Sequence, residues 1–242
     1  MVANLFARNS LQRMTGDPRF DHIDVGAAYR DLRLRVMDLT SLLTPEEWEG
    51  SVPHCPEWTV REVLAHLAGI VDDGMADNMS GVATPEWTAA QVRKRAAMSG
   101  PEIALEWATY APFVEARATE KGMALSQLVF DATMHEHDLR YALGRPGARD
   151  CSSVMVALGF FVGLRAARPG GMSVQVRVDG REIFDVCQPG APVLEASAFD
   201  TIRMFGSRRS RAQVESMRWS RQPGNALDSL PAFGYPPAAI AE

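Results

Sequence analysis

The sequence predicts an α+β protein, a helical bundle followed by a smaller unit that mixes strands and helices. Three observations carry this. Up to Ala167 the apolar residues recur at three- and four-residue steps, the period of one helix face. Arg168-Pro169-Gly170-Gly171 then interrupts the chain, and beyond it the apolar period changes to two. The 242 residues, 46% hydrophobic and 23% charged, suffice for two soluble units, each with its own core. The expected organisation is an amino-terminal extension over 1–23, a bundle over 24–168 and a carboxy-terminal domain over 172–242.

The elements follow in order. Residues 1–23 hold Gly16, Asp17 and Pro18 without a sustained period and read as an entry segment. From Asp24 to Leu43, the stripe Val25, Ala28, Leu32, Val36, Leu39 and Leu43 predicts a long helix. Thr44-Pro45-Glu46-Glu47 predicts a short capped turn carrying Trp48, and a loop with Pro53 and Pro56 follows. Thr59-Val-Arg-Glu62 caps a second long helix whose buried face is Val60, Val63, Leu64, Leu67 and Val71, with His66 inside it. Thr84-Pro85 starts another helix, Gly100-Pro101 interrupts it, and helix resumes to Lys121-Gly122. Leu125 to Leu143 is closed by Gly144, and Cys151 to Ala167 is apolar on nearly every face, as a buried helix would be. In the second unit, Val174, Val176 and Val178 lead into Asp179-Gly180, and Ile183, Asp185 and Cys187 continue the alternation, which predicts a hairpin. Val193 to Ala196 can add a strand, and 198–206 and 208–218 read as weak helices.

Composition excludes several classes. A net charge of −5, with no basic stripe beyond Arg208, Arg209 and Arg211, gives no reason to expect a nucleic-acid partner. Three dispersed cysteines without CxxC spacing suggest neither a disulfide framework nor a thiolate cluster, so reduced cytoplasm is expected. No run of about 18 apolar residues occurs, so no membrane span is expected. The chain is expected to be a monomer or homodimer.

Asp131, His135 and Asp138 fall within about 60° of one another on a helix advancing about 100° per residue. With His66 from a facing helix, Asp131 and His135 can hold a metal and leave a position open for water or a thiol. Alternatively, His66 donates a hydrogen bond inside the core. Asp138 suits a supporting hydrogen bond or a cap. His137 points about 160° away from His135 and reads as a surface or interdomain residue. Cys55 reads as packing, having no histidine at helical spacing to activate it, and Trp58 and Trp107 read as core.

The run His54-Cys-Pro-Glu-Trp-Thr-Val-Arg-Glu-Val-Leu-Ala-His-Leu-Ala-Gly69, the segment Asp131 to Asp138 and Phe205-Gly-Ser-Arg-Arg-Ser210 together resemble the mycothiol-dependent maleylpyruvate isomerase family, a branch of the DinB-like metal-binding bundles. The likeness covers roughly residues 25 to 215. It implies a DinB-like four-helix bundle, a divalent metal, usually zinc, and a small α/β carboxy-terminal domain closing over the site. Carried onto this chain, the metal ligands are His66, Asp131 and His135, with Asp138 completing a His-x-x-Asp motif. Asp131 stands where the family commonly has glutamate; it lacks one methylene and must approach the metal more closely. Arg208 and Arg209 match the family's glycine-arginine segment near the cleft, where a guanidinium suits the carboxylate of mycothiol or of a small substrate.

The activity this implies is that of a mycothiol-using isomerase or thiol S-transferase acting on a small electrophile. Two alternatives are a zinc-dependent hydrolase, with Glu136 or Asp138 as base, and a non-catalytic module that binds a small molecule or partner through a degenerate site.

Overall fold

A computed structural model describes residues 19–166, 169–228 and 230–240. The expected amino-terminal extension lies outside the described residues as far as residue 18, as do Ala167 and Arg168 at the expected boundary.

Helix α1 (Val25–Thr40) starts where Asp24 accepts from the Ala27 amide, satisfying one of the unpaired donors of its first turn. Of the expected stripe, Val25, Ala28, Leu32, Val36 and Leu39 are buried, whereas Leu43 lies beyond the end of the helix and is only partly buried. Thr44 caps α2 (Pro45–Trp48) and Thr59 caps α3 (Val60–Met75), each in a reciprocal capping box with a glutamate three residues on. Thr84 caps α4 (Pro85–Lys94). Gly100-Pro101 lies in the first turn of α5 (Gly100–Lys121). Helix α6 (Ser126–Ala142) ends before Gly144 at φ +62°, and α7 is Ser152–Ala166.

Helices α1, α3, α5 and α6 pack in a ring, and α7 lies against α6 and α1. At the centre Trp107 is fully buried and its indole N–H donates to the Tyr29 hydroxyl at 3.0 Å, so a large apolar body is buried with no orphaned donor. Helices α1 and α5 approach closely because residue 26 is glycine: a Cβ there would lie 2.2 Å from the Glu115 carbonyl oxygen.

One segment departs from expectation. The loop expected around Pro53 and Pro56 is an antiparallel hairpin of β1 (Ser51–Val52) and β2 (Cys55–Thr59). Strands this short carry no readable period. The hairpin leads Trp58 and Cys55 to the head of α3, next to α6.

Beyond Gly170, the alternating segment forms a sheet in the order β4-β3-β5-β6. Strands β3 (Gln175–Val178) and β4 (Arg181–Glu182) are joined by Asp179 and Gly180, both at positive φ, as the Asp-Gly pair predicts. Cys187 pairs with Met172 only as an isolated bridge, so the return strand is shorter than expected. Strand β5 (Val193–Glu195) runs parallel to β3. Helices α8 (Ala198–Phe205) and α9 (Arg211–Glu215) follow, and then β6 (Arg218–Trp219), whose two residues gave no strand signal.

Helix α8 packs on α7, with the Phe161 and Phe205 rings 5.5 Å apart. One hydrophobic cluster runs through this contact from the bundle into the sheet. No helix among the described residues is long and apolar enough to cross a membrane.

Candidate metal centre

Helix α3 delivers His66 and helix α6 delivers Asp131 and His135 to one point. His66 Nε2 lies 3.1 Å from Asp131 Oδ2, and His135 Nε2 lies 3.9 Å from Asp131 Oδ1. One ligand atom from each of the three lies within 4.8 Å of the others. A tetrahedral zinc with bonds of about 2.0–2.1 Å sets its ligands roughly 3.3 Å apart, so the three side chains fit such an ion with small adjustments. Burial pushes the Asp131 carboxyl up, but the neighbouring His66 and His135 outweigh it and hold the group below its usual range. Trp58 walls the site, its ring 5.2 Å from that of His66 and 5.9 Å from that of His135.

The far edges of both histidine rings are also held. His66 Nδ1 meets Gln91 Oε1 at 2.7 Å, and His135 Nδ1 meets Asp138 Oδ2 at 3.3 Å. Oxygen atoms of Gln91 and Asp138 thus stand beside the two Nδ1 edges and both Nε2 atoms face Asp131; with the ring protons on Nδ1, the Nε2 lone pairs are the ones a metal would take.

Asp138 anchors a second cluster. It has no exposed surface and receives Arg203 Nη2 on Oδ1 and Arg208 Nη2 on Oδ2, both at 2.8 Å. Burial pushes its carboxyl up, yet Arg208 and Arg203 hold it well below the ordinary range, so it stays ionised. Arg203 also donates to the Met134 carbonyl oxygen, tying α8 to α6. Cys55 Sγ lies 3.5 Å from Asp138 Oδ2 and 3.9 Å from His135 Nδ1. Burial, followed by the Asp138 charge, pushes this thiol up to about 12, so it remains S–H and is no nucleophile. Its inertness matches expectation, but the reason differs: a histidine is adjacent, delivered by the fold and not by sequence spacing.

The other expected site residues divide. Arg208 is in the cluster, and four of its five N–H groups already have acceptors: Asp138 twice, the Gly206 carbonyl oxygen and Cys55. The two-pronged fork expected for a ligand carboxylate is therefore engaged by Asp138. Arg209 turns elsewhere, 3.4 Å from Asp200 and over the Phe199 ring. His137 is buried against Phe199 of α8, at 4.6 Å between rings, so it is not the surface residue that one of the two expectations made it. Trp107 is core, whereas Trp58 belongs to the site. Glu136 is fully buried and bound by Arg35 and Arg140.

Gln91, Arg203 and the placement of Trp58 and Cys55 escaped the sequence reading. The available signal for Arg203 was a charge inside the apolar run Ile202, Met204 and Phe205; a lone glutamine gives none.

Residues 29–140 match the family model described as the mycothiol maleylpyruvate isomerase N-terminal domain. The match takes in His66, Asp131, His135 and Asp138 and stops before Arg203 and Arg208. No curated protein and no solved structure matches the chain.

Proposed function

We infer that this chain, whose residues 29–140 match the mycothiol maleylpyruvate isomerase N-terminal domain model, binds a divalent metal, zinc by its donor set, through His66, Asp131 and His135, and uses mycothiol as an isomerase or S-transferase on a small electrophile. The observation that carries the reading is the convergence of two histidine Nε2 atoms on one carboxylate while both Nδ1 edges are held from behind. When bound, the metal supplies a lowered thiol pKa, keeping the cofactor sulfur as thiolate at neutral pH.

The chain's own groups prepare the rest. Trp58 covers the two imidazoles and limits water beside them. Arg208, bound to Asp138, places a guanidinium beside the site, where a positive charge favours an anionic sulfur or carboxylate. Arg208 has one N–H left for such a group and acts mainly by holding Asp138, and through it His135. Arg209 has no comparable position.

The hydrolase reading loses support here. Both candidate bases are committed, Asp138 to two arginines and Glu136 to Arg35 and Arg140. Purified protein is expected to carry stoichiometric metal by elemental analysis, and His66→Ala or His135→Ala to abolish it. Equal metal in all three proteins sinks the ligand assignment. Turnover without mycothiol sinks the thiol reading, and a metal-free wild type returns the chain to a non-catalytic binding module.

A further inference from the structure

A histidine ligates through a nitrogen that carries no proton, so the position of the ring proton decides whether His66 can serve. We propose that Gln91, itself oriented by Asp73, is a positioning residue that holds the His66 proton on Nδ1 and so presents the Nε2 lone pair to the metal. The proposal rests on the metal reading above.

The direction of the relay follows from donor and acceptor chemistry. Asp73 accepts from Asn78 Nδ2 at 2.8 Å and from Gln91 Nε2 at 2.7 Å. A carboxylate only accepts, so the Gln91 amide must turn its NH2 to Asp73 and its oxygen to His66. That oxygen, 2.7 Å from Nδ1, also only accepts, so Nδ1 carries the proton. Asp131 competes from the other side, with Oδ2 at 3.1 Å from Nε2. Without Gln91, Asp131 is the remaining acceptor on this ring and draws the proton to Nε2, the atom the metal needs.

The packing of α4 is arranged around this contact. Residue 69, three positions after His66 on α3, is glycine, and a Cβ there would lie 2.5 Å from Gln91 Cβ and 2.7 Å from its Cγ. Arg95, nearly fully buried, donates to the Gln91 carbonyl oxygen and is held by Asp72 and Glu106, which fixes the end of α4 against α3 and α5. Gln91 itself is buried and makes no other side-chain hydrogen bond among the described residues than those to His66 and Asp73.

The test uses the full-length protein and two readouts: zinc affinity by competition with a chromophoric chelator, and the His66 tautomer in metal-free protein by long-range proton–nitrogen NMR. Gln91→Leu is expected to weaken zinc binding by about 10- to 100-fold, the range for removing such a supporting contact, and to move the ring proton to Nε2. Gln91→Glu alone would set a second carboxylate against Asp73, but combined with Asp73→Asn, which supplies a donor to it, it keeps the acceptor at Nδ1 and should recover most of the loss. Asp73→Asn, nearly isosteric and only half-buried, frees the amide to turn; mixed tautomers and an intermediate affinity are expected, and this variant keeps the test open should Gln91→Leu not fold. Wild-type zinc affinity together with an undisturbed Nδ1 proton in Gln91→Leu overturns the proposal. A wild type that binds no zinc, while Gln91→Leu still moves the proton, refutes the metal reading and supports the tautomer control.

Discussion

A carboxylate without exposed surface and ringed by two guanidinium groups titrates far from its ordinary position, and Asp138 is such a group. Because its folded pKa lies below the unfolded value, the unfolded chain binds the proton first. The stability it contributes is therefore fully present above the usual aspartate range, about 4, and is lost as pH falls toward the folded value. Asp138→Asn removes a counter-charge shared by Arg203 and Arg208 and is expected to cost about 3–5 kcal/mol, read by urea denaturation near neutral pH. It should also flatten the acid limb of the stability profile; an unchanged acid limb shows that other groups govern it. Cys55 offers a second check at this scale. With its thiol pushed up to about 12, it should resist alkylation by iodoacetamide in the native, mildly alkaline protein, as followed by peptide mass spectrometry. Rapid labelling there contradicts the half-buried, Asp138-bonded thiol. His66, Asp131 and His135 were legible because helical spacing and the family motif both act through local sequence. Gln91 and Arg203 were not, because each gains its role from a partner 25 and 65 residues away, respectively.

Among the elements, the helices were legible because their caps are chemical and local. Thr44, Thr59 and Thr84 each begin a helix where a threonine side chain satisfies an otherwise unpaired amide. The β1–β2 hairpin was not legible, since its register depends on docking against α6 and α3 rather than on alternation. Thr59 joins the two elements: it ends β2 and caps α3, one residue after Trp58 and seven before His66. Thr59→Ala is expected to destabilise the fold by about 1 kcal/mol, within a usual range of roughly 0.5 to 2, measured as a shift of the denaturation midpoint. No shift in that midpoint argues that the first turn of α3 is held by packing alone.

For the molecule as a whole, the switch of period after Gly171 announced the sheet, whereas the expectation of a separate core in each unit fails, since one hydrophobic cluster continues across it. That continuity is made by Phe161 on α7 against Phe205 on α8, a contact between two apolar helices whose partners no periodicity identifies. We propose 24–168 and 172–242 as the two units of the chain, with α7 as their shared wall; circular dichroism showing 24–168 alone to be mostly strand would refute the division. The proposed metal would tie α3 to α6, so a chelator is expected to lower Tm, by the equivalent of about 2.7 kcal/mol where free metal had stood at a hundred times its Kd. An unchanged Tm means that the site adds nothing to the fold.

The arginines that clasp Asp138 come from the carboxy-terminal unit, while Asp138 and the histidine it steadies belong to the bundle. For the ion proposed above, occupancy and the docking of that unit would thus be two readings of one equilibrium. Whatever prises α8 away from α6 unsteadies His135 and lowers affinity for the ion; by reciprocity, a loaded site grips the carboxy-terminal unit more firmly by the same factor. Loss of that ion would then loosen the protein at the seam directly behind His135, where Asp138 meets the two arginines.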